Sequence, residues 1–249
     1  MIDTQFLPSE TEEAVRWAEQ ATGKKIRAAI VLHPNPDKFN GTLTLQNRGI
    51  RVITSDQVLS LIPKVHEKRV RSFYERYKPD YPTQVPKPDS FGDHTTDLRL
   101  AGVSLRLYVL GPGCSDAHVA VLFDGHLFVG DLVASGVHSW LELGNIEEWI
   151  QRLHELKAMH PRYVHPGRGS SGGVELLGAE EFYLSRVLAT VQSESRGVEV
   201  NESVLQRAKS RIVDQFPGYR FDVFLDVGIE TLMQRLRHPK TDPTSVRMQ

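Results

Sequence analysis

The chain has 249 residues, 40% hydrophobic and 24% charged, with a formal net charge of −1. These figures suit a globular protein of one large or two small domains with ample material for a core, and they give no electrostatic argument for binding nucleic acid or an anionic membrane. No apolar run approaches the roughly 18 residues that suggest a membrane span, and the single cysteine, Cys114, excludes an intrachain disulfide and a cysteine-only zinc cluster.

The opening "MIDTQFLPSETEE" has neither the basic region nor the apolar stretch of a secretory signal, so a cytoplasmic location is expected. Ser9 followed by Glu12 reads as a capping box opening a helix over "ETEEAVRWAEQAT", with Gly23 as its stop. "KIRAAIVLH" predicts a mostly buried strand ending at His33. A short helix follows Gly41 and closes at Gly49, and "IRVIT" returns as a strand. Thr54 or Ser55 can cap the next helix, which runs to about Tyr77.

Residues 79–96, rich in proline and polar side chains, predict an ordered surface loop or linker. "VSLRLYVL", "AHVAVLF" and "HLFVG" predict three strands, the last two joined by an Asp124-Gly125 hairpin turn. Asn145 can cap the helix "IEEWIQRLHELKAM", and "RYVHPGRG" predicts a strand entering a glycine-rich turn. From about residue 178 the pattern turns to three helices, with a frayed end expected after Pro239. Strand and helix signals alternate for most of the length, which predicts an α/β layered fold.

The polar residues of interest sit just after strands, where a rigid scaffold presents chemistry: His33, Asn35, Asp37 and Lys38 in "VLHPNPDKFNG", then Cys114, Asp131 and Arg168. Each alone has an ordinary structural reading. A histidine at a strand end is usually hydrogen-bonded for structure, Asp131 in "GDL" can hold its own turn, and Arg168 can bind an anion beside a glycine-rich turn.

In their order and spacing the segments resemble the metallo-β-lactamase superfamily. "MIDT" is similar to the strand ending in that family's Asp-Thr turn, and "LHPNPDKFNG" stands where the family has H-x-H-x-D. "GPGCSDAHVAVLF" stands at its G-P-G-H-T, "LFVGDLV" at its G-D or G-C turn, "LGNIEEW" at the following helix and "HPGRGSSGG" at its P-G-H-G turn. The resemblance implies an αββα sandwich of two mixed sheets over residues 1–177, with residues 178–249 a helical extension packed on it. It also implies that strands normally preceding "MIDT" are missing, leaving a sheet edge that a homodimer could cover.

The resemblance further implies a dinuclear zinc site, and this chain departs from its ligand set. His33 matches the first imidazole. Asn35 replaces the second with a poor ligand, and Cys114 replaces the third with a competent thiolate. Asp37 and Asp131 remain as residual ligands, with Asp37 catalytic only if the site is active. Lys38 and Arg168 stand where ligands, or at one position a tolerated arginine, are expected, and arginine has no lone pair to offer. Their two positive charges equal that of the missing metal, so Asp37 and Asp131 are expected to pair with them.

His118, His126, His138 and His165 lie off the family's ligand positions, though His118, four residues after Cys114, or His165 could be recruited. The leading expectation is therefore a degenerate site holding no cofactor or a single Zn²⁺, in a protein that is no ordinary zinc hydrolase and that binds a small anionic ligand or a partner in the old groove. The second is a mononuclear hydrolase of esters, thioesters or amides using His33 and Cys114. The third is metal-free thiol chemistry at Cys114.

Overall fold

The computed structural model of the protein describes residues 1–237, so the fraying expected after Pro239 lies outside the described residues. Helix α1 (Pro8–Thr22) leads into strand β1 (Ala28–Ile30), the short helices α2 (Pro36–Phe39) and α3 (Thr42–Asn47), strand β2 (Arg51–Thr54) and the long helix α4 (Asp56–Tyr77). Strands β3 (Asp89–Ser90), β4 (Thr96–Leu100), β5 (Val103–Leu110), β6 (His118–Phe123) and β7 (His126–Ala134) follow. Helix α5 (Ile146–Lys157) and strand β8 (Tyr163–Arg168) then precede the helices α6 (Glu175–Ser195), α7 (Glu202–Gln215) and α8 (Val223–Arg237).

The strands form two sheets, β1-β2-β3 and β4-β5-β6-β7-β8. The smaller is parallel throughout rather than mixed; the larger is antiparallel except for the β7–β8 pair. Alternation along β5 and β6 explains the layering. Leu107, Val119 and Val121 point into a core shared with β1, β2, Val15 of α1 and Val58 and Ile62 of α4. Ala120 of β6, with Leu127 and Val129 of β7, faces a second core completed by Trp149 of α5, Val187 of α6, Ala208 of α7 and Met233 of α8. The result is an αββα sandwich, with the C-terminal helices contributing to the core under the larger sheet.

Several local predictions resolve differently at the level of side chains. Gly23 closes α1 in the left-handed region (φ 66°), as expected. The start of α1 is not a Ser9 box. Glu10 reaches back to the Leu7 amide, while Ser9 donates to Asp80, 71 residues away. Ser55 rather than Thr54 caps α4, accepting from the Val58 amide at 3.3 Å. Asn145 stands at the start of α5 without capping it through its side chain, which instead accepts from Arg235. Asp124 (φ 45°) and Gly125 (φ 78°) make the tight β6–β7 turn. The polar linker contributes the two-residue β3, and "TDLRL" becomes β4. Residues 1–3 run beside β1, with the Met1 ammonium donating to Ala28 O and the Asp3 amide to Ile30 O.

Candidate metal centre

The site forms where β1, the β5–β6 connection, β7 and β8 end together. After β1 the chain continues extended to His33, and Pro36 then starts the single turn of α2, with the Asn35 carbonyl accepting from the Lys38 amide at 2.9 Å. That turn aims Asp37 and Lys38 at Asp131 on β7 and Arg168 at the end of β8. His33, Cys114, His118, Asp131 and Lys38 are all buried.

Two groups of side chains result. In the first, ligand atoms of His33, Cys114 and His118 lie within 4.8 Å of one another. Cys114 Sγ is 3.2 Å from His118 Nε2. The Ser115 amide donates to that same Nε2 at 3.3 Å, which fixes the proton of His118 on Nδ1, where it donates to Gly111 O at 3.0 Å. His33 Nδ1 lies 2.9 Å from Ser115 Oγ, and its Nε2 is buried with no hydrogen-bond partner. Gly113 permits this closeness: a Cβ there would stand 2.5 Å from Leu132 Cδ2 and 3.3 Å from the His118 ring.

The second group is ionic. Lys38 Nζ lies 2.9 Å from Asp131 Oδ1, 3.0 Å from Asp37 Oδ2 and 3.9 Å from Asp3 Oδ2. One Arg168 nitrogen lies 2.8 Å from Asp37 Oδ2 and 3.3 Å from Asp131 Oδ2. The pairing expected from charge counting is thus present in the geometry, with one addition, Asp3. Burial opposes the charge on Lys38, but Asp131, Asp37 and Asp3 outweigh it and push its pKa up. Burial likewise opposes the charge on Asp131, yet Lys38, then His33 and Arg168, hold its carboxyl well below the usual range. For Asp3 burial wins over Lys38 and raises it to about 6. Three carboxylates against two cations leave no net positive charge here to attract an anion.

The first group meets the requirements of a metal centre. His118 Nδ1 is engaged by Gly111 O and His33 Nδ1 by Ser115 Oγ, contacts of the kind that orient histidine ligands in metal sites, and His118 Nε2 lies beside the thiol. His33 Nε2, buried 3.7 Å from Asp131 Oδ2 and without a hydrogen-bond partner, is a polar atom of the kind a bound cation satisfies. Two histidines and a cysteine leave a fourth, open position in a tetrahedral zinc site. His33 and Cys114 are joined there by His118. Asp37 and Asp131 lie with the cations, and buried Asn35 lines the neighbouring cleft with Cys114. His165, His126 and His138 stand elsewhere.

Without metal, burial first and Asp131 second push the Cys114 thiol well up, which opposes free thiolate chemistry. Burial and His33 depress His118 to about 3, keeping it neutral and able to coordinate. Ser115 carried no motif signal, and Asp3 carried one only as part of the Asp-Thr turn in "MIDT", not as a member of the ionic group. His118 did carry one, its position four residues after Cys114.

Layer order, sheet topology and this convergence at the strand ends define the fold of the metallo-β-lactamase superfamily, and the chain has that fold. Over 186 residues it is 26% identical to the type 2 metallo-β-lactamase of Bacteroides fragilis, covering 71% of this chain and 67% of that protein. A metallo-β-lactamase from Pontibacter korlensis superposes with a TM-score of 0.59 at 22% identity, covering 74% of this chain and 81% of that one. The mono-zinc form of FIM-1 from Pseudomonas aeruginosa superposes at 0.55 and 20% identity, covering 74% and 77%. No protein-family model matches the chain.

Proposed function

We propose that this protein holds one metal ion, zinc by the chemistry of its donors, at His33, Cys114 and His118, and that Lys38 and Arg168 occupy the role of a second metal. The observation that carries this reading is the buried cluster in which ligand atoms of two imidazoles, held by Ser115 and Gly111, and of one thiol lie within 4.8 Å of one another. Bound zinc would supply Lewis acidity beside the cleft. The residues around it are set for binding rather than for dinuclear hydrolysis. Asp37, the loop carboxylate, is clamped between Lys38 and Arg168, so it is not free to accept a proton from a substrate or water.

The adjoining cleft is lined by Asn35, Cys114 and Ser115, by the apolar Leu61, Val65 and Trp140, and by Lys64 and Asp116. Among the described residues Lys64 is in no ion pair, whereas Arg69 and Lys68 are both paired with Glu142. A small ligand with an apolar body and an anionic end suits that lining, with Lys64 rather than Arg168 or Lys38 meeting the charge.

Elemental analysis of protein purified without chelator tests the proposal: one zinc per chain is expected, and two tightly held zincs would overturn it. The third donor, His118, also favours a second reading, a mononuclear hydrolase of esters, thioesters or amides. Zinc-dependent turnover of such substrates, abolished together with zinc binding in Cys114→Ser, would select it over a purely binding role.

A further inference from the structure

The glycine-rich turn after β8 carries a second cluster that the metal centre does not use. Gly169-Ser170-Ser171-Gly172-Gly173 has the spacing G-x-S-x-G, and it stands between a strand and a helix, β8 and α6. That is the context in which such a motif presents a nucleophilic serine. Here the left-handed residue is Gly169 (φ 86°), two residues before Ser171, where a Cβ would stand 2.0 Å from Ser135 O, so the turn's conformational demand falls on a glycine and not on the serine.

Ser171 is exposed, and its Oγ lies 2.8 Å from His165 Nδ1. His165 Nε2 lies 2.9 Å from His126 Nδ1. Two proton arrangements satisfy the chain; in the one that makes His165 a base, Ser171 donates to His165 Nδ1 and His165 Nε2–H donates to His126 Nδ1. Both rings are held by stacking. His165 lies on Phe128 with centroids 4.4 Å apart, and His126 on Tyr163 at 4.7 Å. A nucleophile, a base within hydrogen-bond reach and a third group orienting the base are the elements of an activated serine. His165 also lines a cavity of about 440 Å³ that it shares with the ionic group of Asp3, Asp37, Lys38 and Arg168, and Phe6 and Phe128 give that cavity an apolar part beside the base.

We propose that Ser171, His165 and His126 form a serine acyl-transfer site acting on small carboxylic esters, separate from the metal centre and not resting on the metal reading. Ser171 Oγ bonds to the ester carbonyl carbon while its proton passes to His165 Nδ1. The bond to the alkoxy oxygen then breaks, and the alcohol leaves with that proton. Water attacks the acyl-serine in the same way, giving its proton to His165, and the carboxylic acid departs as Ser171 is reprotonated. Burial and the neighbouring His126 lower the His165 pKa, which keeps it an unprotonated base at neutral pH.

The test is labelling with diisopropyl fluorophosphate at neutral pH, chelator present throughout so that its failure leaves the metal proposal standing. In this reaction Ser171 Oγ bonds to phosphorus, fluoride leaves and the serine proton passes through His165 to solvent. A single adduct mapped to Ser171 by peptide mass spectrometry is expected, absent in Ser171→Ala and formed about 100-fold more slowly in His165→Gln, the size of a lost general base. Circular dichroism and thermal melting establish that both variants are folded. An unlabelled wild-type chain, an adduct on another residue, or an unchanged rate in folded His165→Gln would each overturn the proposal.

Discussion

Replacing Lys38 with methionine removes the ammonium from the centre of the ionic group while keeping a side chain of similar length. Its Nζ is 2.9 Å from Asp131, 3.0 Å from Asp37 and 3.9 Å from Asp3, and the side chain is only 5% exposed. At an effective dielectric of about 20, the two shorter contacts are worth about 5.5 kcal/mol each gross and the longer about 4 kcal/mol. Desolvation of the lysine offsets most of that sum. What remains when one partner of a buried pair is deleted is about 3–5 kcal/mol, because three carboxylates are then left with Arg168 alone. Urea denaturation of wild type and Lys38→Met should show a loss of that size as a lower midpoint at constant slope. Lys38→Arg, which retains the charge, should lose less. A Lys38→Met loss below about 1 kcal/mol, the scale of an exposed pair, would refute the reasoning.

Other perturbations probe separate links. Gly167→Ala places a Cβ 2.1 Å from Asp131 Oδ1 and 2.6 Å from Gly130 C, so it should cost about 1–3 kcal/mol in thermal or urea melts through overpacking; a neutral result would mean that β7 and β8 can separate freely at this point. Glu180 accepts from Ser139 Oγ at 2.6 Å and from the Ala134 amide at 2.9 Å, and burial raises its carboxyl from 4.5 to about 7. The unfolded chain then ionises before the folded one, so stability falls as pH rises from 4.5 to 7, by about 3 kcal/mol. Glu180→Gln should flatten this part of the stability–pH curve, and an unchanged slope would remove Glu180 as its source.

The sequence was most legible where a local rule had a single structural solution. Asp124-Gly125 could hardly be anything but a two-residue hairpin turn, and Gly23 ended its helix as a left-handed residue does. The pairing of Lys38 and Arg168 with Asp37 and Asp131 followed from charge: buried carboxylates need cations, and only those two stood at the right turns. Legibility failed where tertiary contact decides. Ser9 and Glu12 have capping-box spacing, but Asp80 takes the serine and Glu10 reaches the Leu7 amide instead. His118 begins β6, and strand alternation alone does not reveal that its ring turns back onto Cys114 under Gly111. Asp3 carried the signal of a turn, but its left-handed backbone (φ 56°) brings the carboxylate to within 3.9 Å of Lys38, a tertiary contact the motif did not announce. Strand β4 alternates exposed and half-buried residues beside a polar loop, so its apolar signal was weak.

Zinc X-ray absorption on the protein loaded with one equivalent of metal addresses the centre most directly. The account predicts one sulfur scatterer at about 2.3 Å and imidazole nitrogens at about 2.0–2.1 Å, with the sulfur lost in Cys114→Ser and one imidazole lost in His118→Ala. A shell of nitrogen and oxygen alone, or a second zinc neighbouring the first, would contradict it.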